Sequence, residues 1–158
     1  MNKIIISLLF FLAVTKPSMG QIGIPEFSKF FGKQFRVSPA FRKNCEFSFF
    51  SILMQTDNSG TIKSVDFKNE VPEDMKVYFD FLKGYQFPEK YAIKNKPVLF
   101  FITIDRSDYC PDFKVTNPHM NEIMRTPLLI IKKQLAANAK TIVFYDTFVT
   151  RLSRGTVN

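Results

Sequence analysis

One side chain in this 158-residue chain, His119 in "TNPHMNE", has an ordinary pKa suited to acid–base work at neutral pH. A hydrolase built on His119 would need a nucleophile and an acid brought close in space. Cys110 is a thiol that could pair with it, but a disulfide from Cys45 to Cys110 would consume that thiol. The bland alternative for His119 is a polar residue in the first turn of a helix. Asp105 and Asp108 flank Arg106, and neighbouring carboxylates can share acid–base work; such residues also simply end strands in water. Asp57-Asn58-Ser59-Gly60 opens like a calcium loop and then lacks the further acidic ligands. Two cysteines without CxxC spacing, together with one His, make no zinc set. There is no glycine-rich phosphate loop, serine elbow or HExxH motif. The expectation is therefore no catalytic residue, no metal and no cofactor.

The chain opens with Lys3, an apolar core from Ile4 to Val14, and small residues at Ser18 and Gly20. That layout predicts a secretory signal over residues 1–20, cleaved between Gly20 and Gln21. The core is about half of the roughly twenty apolar residues a membrane-spanning helix needs. No Cys follows the cleavage point to carry a lipid, and no other stretch is long enough to span. A periplasmic or secreted protein is expected, and in an oxidising compartment a Cys45–Cys110 disulfide becomes the default. Closing so long a loop would stabilise the fold by roughly 4 kcal/mol in the chain-entropy picture.

The remaining residues, 21–158, suit one domain with a real core. Nineteen Phe and no Trp supply that core. The whole chain carries a net charge of +8, so loss of Lys3 and Lys16 with the leader leaves about +6. This balance favours anionic surfaces such as phospholipid, and peripheral membrane contact is compatible with it. Nucleic acid is not expected, because exported proteins rarely meet it and no Arg-rich tract appears.

The elements that would position any site follow from periodicity. Phe27, Phe30, Phe31 and Phe35 recur at helical spacing, as an amphipathic helix that packs on a sheet or lies on a membrane. "CEFSFFSILMQ" and "TIKSVDF", parted by the turn Asp57–Gly60, read as a β-hairpin. In the second strand Thr61, Lys63, Val65 and Phe67 share one face, and Ile62, Ser64 and Asp66 the other. "VPEDMKVYFDFLKGY" reads as a helix with Met75, Phe79 and Leu82 inward and Gly84 as its stop. "VLFFITI" is apolar on both faces, hence central or covered. "HMNEIMRTPLLIIKKQLAAN" looks helical, kinked at Pro127 or starting near Thr126; "TIVFYDTF" reads as a last strand and "VTRLSRGTVN" as a basic tail.

This order, with Val37-Ser38-Pro39-Ala40, Asp57 to Gly60, Val65-Asp66-Phe67, Phe87-Pro88 and Lys96-Pro97-Val98, resembles the C-terminal domain of the TonB energy-transducing family over residues 26–105. The resemblance implies a small α+β domain whose last strand receives a segment of a membrane receptor by strand addition. It carries Val98, Leu99, Phe100, Phe101, Ile102, Thr103 and Ile104 over as the partner-binding edge. The chain departs from the family in lacking an uncleaved anchor and a Pro-rich spacer, in Cys45-Glu46 and Asn95 where glycines are usual, and in its last fifty residues.

The expected fold is α+β: a small antiparallel sheet of three to five strands against two or three helices, with a C-terminal helix–strand extension. The expected function is an exported, non-catalytic protein-binding module of a bacterial envelope. A soluble carrier of an apolar or anionic ligand in a Phe-rich pocket, and a hydrolase of unrecognised type, are the alternatives. "TIVFYDTF" covering residues 98–104 from within the chain is the competing arrangement for that edge.

Overall fold

The computed structural model describes residues 23–43, 48–105, 117–144 and 148–151. The expected signal over residues 1–20, Cys45 and residues 106–116 with Cys110 lie outside them, and so does the expected disulfide. Helix α1 (Pro25–Gln34) starts on a proline whose missing N–H costs a first helical turn nothing. A short helix α2 (Pro39–Lys43) follows. Strand β1 (Ser48–Thr56) pairs antiparallel with β2 (Ile62–Phe67) on one side and with β3 (Pro97–Asp105) on the other. Between β2 and β3 lie α3 (Glu73–Lys76), a 3-10 segment Val77–Leu82, and a 3-10 turn Glu89–Tyr91. Helix α4 (Asn117–Ala137) leads to β4 (Ile142–Val143) and β5 (Phe148–Arg151).

The α+β architecture agrees with the residue pattern, and the sheet is mixed rather than wholly antiparallel. Both β4 and β5 pair parallel with β3. A helix-length connection is what turns a chain back into a parallel strand, and α4 supplies it. "VTRLSRGTVN" is accordingly not all tail, because Val149 to Arg151 belong to β5. Helix α4 runs through Pro127 from Asn117, so the proline does not mark its start.

The sheet is covered on both faces. On the front, Phe50, Ile52, Met54, Val98, Phe100, Ile102 and Ile104 meet Phe27 and Phe31 of α1 together with Met75, Phe79 and Leu82. On the back, Phe49, Leu53, Leu99 and Phe101 meet Ile130 and Ile131 of α4. The amphipathic stripe of α1 therefore packs on the sheet. In β2 the alternation breaks once: pairing slips between Gln55 and Thr56, so Ile62 joins the same buried face as Val65 and Phe67. The bulge explains why Ile62, expected opposite Val65, is only 1% exposed.

Phe27 sits at the centre of the front core. Its ring lies 5.3–6.1 Å from those of Phe31, Tyr85, Phe87, Phe100 and Phe144. These rings fill the space between α1 and the sheet. At the rim, Lys90 Nζ and the Tyr91 hydroxyl both donate to the Glu26 carboxylate, at 2.5 and 2.7 Å. Those two bonds, Lys90 first, hold Glu26 down at about 2.

Two measurements follow from this packing. Phe27→Ala should lose about 3–5 kcal/mol in denaturant unfolding, because the ring is 1% exposed and its site cannot collapse from five sides. A loss below about 1 kcal/mol would mean α1 is dispensable to the fold. The Glu26 clamp has a lowered folded pKa, so its contribution is complete above the ordinary value of 4.5 and fades as pH falls toward 2. Acid titration should show a steeper decline in the wild type than in Glu26→Gln, since Asp57 and Glu89 keep their own lowered values in both; parallel curves would remove the clamp from the account.

Candidate functional site

Several of the acids and hydroxyls that fall within the described residues are engaged in structure. Asp57 Oδ1 accepts from the Ser59 N–H at 2.9 Å, the Ser59 hydroxyl at 2.7 Å and the Thr61 N–H at 2.9 Å. Lys63 Nζ lies 3.0 Å from Oδ2. The Ser59 hydroxyl, then the Thr61 amide, hold this carboxyl well below the usual carboxylate range. Its backbone carbonyl also accepts from the N–H groups of Gly60 and Asn95, at 3.0 and 2.8 Å. Gly60, at φ +80°, closes the turn in a conformation that favours glycine. "TDNSG" is thus a turn that ties the hairpin to the approach to β3. Ser38 is likewise a cap: its buried hydroxyl donates to Asp74 Oδ2 at 2.5 Å and accepts from the Phe41 N–H at 3.0 Å.

Other sequence candidates fall elsewhere. Cys45, Arg106, Asp108 and Cys110 are outside the described residues, as are the side chains of Asp105 and His119. His119 lies on α4 and Asp105 ends β3. Among the described residues, no group of three metal-ligating side chains gathers.

Residues Val98 to Ile104 are not a free edge. β1 bonds one side of β3, and the chain's own C-terminal segment takes the other. Val98 and Leu99 pair with Ile142 and Val143, and Ile102 to Asp105 pair with Phe148 to Arg151. The Phe144 N–H donates to the Leu99 carbonyl at 2.8 Å. A partner strand could reach this side only by displacing β4 and β5. The placement answers the sequence: a strand apolar on both faces lies in the middle of the sheet.

The free edge lies at the opposite rim. The first residue of β2, Ile62, exchanges bonds with Gly84 and Tyr85 on its outer side. Beyond it, antiparallel bonding alternates, and the Lys68 N–H donates inward to the Ser51 carbonyl at 2.8 Å. Ser64 and Asp66 share that parity, opposite Gln55 and Leu53. The N–H and C=O groups of Val65 and Phe67 therefore point away from the sheet, and no described residue bonds them. Past Phe67 the ladder is finished by a side chain: Asn69 accepts from the Ser51 N–H and donates to the Phe49 carbonyl, each at 2.6 Å.

A groove of about 780 Å³ runs along this edge, between β2 and the segment from Glu70 to Lys83. Its apolar wall comes from Val65, Phe67 and Phe79, the last two rings meeting edge to face at 5.3 Å. Four acids and two lysines line it: Asp66, Glu70, Glu73, Asp80, Lys76 and Lys83. Lys76 pairs with Glu73 and Lys83 with Asp80. Asp66 and Glu70 have no ion pair among the described residues, so the rim is acidic on a basic protein.

Comparison with protein-family models, with curated proteins and with solved structures finds no match.

The alternation of Val65, Asp66 and Phe67 marks a half-covered strand of the hairpin, and local pattern does not show that its outer side stays open. The helix-length run before "TIVF" is the sequence signal for the competing arrangement, in which the chain's own C-terminal segment takes the far side of β3. Asn69 gave no sequence signal. Asn69→Ala should destabilise the protein by about 1–3 kcal/mol, because it strands one donor and one acceptor of β1. Asn69→Asp keeps the acceptor for Ser51 but sets an oxygen against the Phe49 carbonyl, so it should recover little of the loss. Unchanged unfolding midpoints in both variants would show that the ladder ends without Asn69.

Proposed function

We propose that this chain is an exported, non-catalytic binding module of a bacterial envelope. It takes an extended segment of a partner protein as an added strand, and the receiving edge is β2 at Val65–Phe67 rather than β3. The observation that carries the reading is the pair of outward-facing backbone residues beside the groove. An edge strand with unbonded N–H and C=O groups is a template for another strand. The groove volume suits a short segment, with Val65, Phe67 and Phe79 to receive alternate apolar side chains. Asp66 and Glu70 favour a partner carrying Lys or Arg between those positions. Export rests on the Lys3, Ile4–Val14 and Ser18–Gly20 pattern. No helix among the described residues is long and apolar enough to cross a membrane.

Amide hydrogen exchange tests the edge directly. Val65 and Phe67 should exchange fast in the free protein while Ser64 and Asp66 are protected, and all four should be slow once a captured partner is bound. Val65→Pro removes an outward N–H, in a place where edge strands tolerate proline, and Val65→Thr controls for the side chain it also changes. Folded Val65→Pro should lose the partner that wild type and Val65→Thr retain from envelope extract. Equal capture by all three, or slow exchange at Val65 and Phe67 without partner, would sink the reading.

A further inference from the structure

Helix α4 presents a second surface, on the back of the molecule and away from β2. Its inward side packs Ile130 and Ile131 on the sheet, and Gln134 reaches Thr141 at 3.3 Å. Its outward side is Arg125, Leu128, Leu129, Lys132, Lys133 and Ala136, all exposed. At about 100° per residue these six fall within an arc of about 140°. Leu128 is 63% and Leu129 48% exposed, two of the three large exposed apolar side chains among the described residues. Arg125, Lys132 and Lys133 have no ion pair with a described residue. Between Glu122 and Asp146 the chain carries four cations and no acid. Elsewhere the described lysines commonly have acids beside them: Lys63, Lys76, Lys83, Lys90 and Lys94 are all paired.

Two exposed leucines set among unneutralised cations are poorly matched to water and well matched to one kind of surface. An anionic bilayer offers phosphate-bearing headgroups to the cations and an acyl boundary a few ångströms deeper for the leucines. We infer that the outward face of α4 is a peripheral docking surface for anionic phospholipid bilayers. The face is flat and helical, so it lies along the interface and does not insert across it. With α4 on the membrane, the β2 groove on the far rim of the sheet stays open. The two surfaces work independently, and failure of either leaves the other standing.

Vesicle flotation of the whole chain tests this, comparing phosphatidylcholine alone with phosphatidylcholine containing phosphatidylglycerol. Lys3 and Lys16 flank the apolar segment 4–14, so any contribution from that segment is separated by the lysine and leucine variants, all of which leave it unchanged. The anionic lipid should add binding that falls steeply with salt. Lys132→Gln with Lys133→Gln should weaken that increment roughly thirtyfold, at the usual contribution of each cation near a charged bilayer. Leu128→Ser with Leu129→Ser should weaken it while leaving the salt dependence in place. Lys29→Gln with Lys33→Gln removes the same charge from α1, on the other face of the sheet, and should change it little. No increment from phosphatidylglycerol, or equal losses from the two lysine pairs, would overturn the proposal. Affinity of this face for an acidic protein with none for the vesicles would overturn it as well.

Discussion

The fold hangs on one ring. Phe27 is where the first helix, the Tyr85–Phe87 loop, the central strand and the returning C-terminal segment meet, through Tyr85, Phe87, Phe100 and Phe144. None of these pieces would hold its place alone. A ten-residue helix is marginal in water, and a two-residue parallel strand adds little of its own. Aromatic side chains bury large areas and pack in tilted and edge-on pairs, so one shared cluster can hold four elements that are distant in sequence. The abundance of Phe and absence of Trp are consistent with this arrangement, since Phe carries no N–H that would need a partner in so dry a site.

Burying that cluster determines which edges of the sheet are closed. Phe144 lies in the front core, so the segment that carries it must run beside β3, and β4 and β5 take up the bonding groups of that strand. The strand with the flattest and most apolar surface is thereby the one least available to other molecules. The edge left free is the shorter β2, with Lys63, Asp66 and Lys68 interleaved among Val65 and Phe67. Charges so placed discourage pairing between copies of an edge strand. They leave room for a partner whose own charges complement them.

The two faces of the sheet also differ in kind. The front helix α1 buries its rings and ties its end down with Glu26, Lys90 and Tyr91. Among its described side chains, the back helix α4 meets the sheet through Ile130 and Ile131 and leaves leucines in water. Leu128 and Leu129 add nothing to the described core, in contrast with the rings of α1.

Much of this was legible in the chain. The helical spacing of Phe27 and Phe31, the turn at Asp57–Gly60, the inward set Met75, Phe79 and Leu82, and the two-faced burial of Val98–Ile104 follow from local periodicity and turn chemistry. Those are properties of neighbouring residues, so one dimension suffices to see them. Which strand would be the edge was decided elsewhere. The parallel return of β4, the bulge that turns Ile62 inward, the Asn69 side chain finishing the β1 ladder and the groove against Phe79 all join residues far apart in sequence. Their energies arise only when the chain closes on itself. The residues determined most of the elements and, Ile62 apart, their buried faces; the tertiary structure decided which backbone groups of the sheet were left unbonded, because strand neighbours are set by contacts distant in sequence.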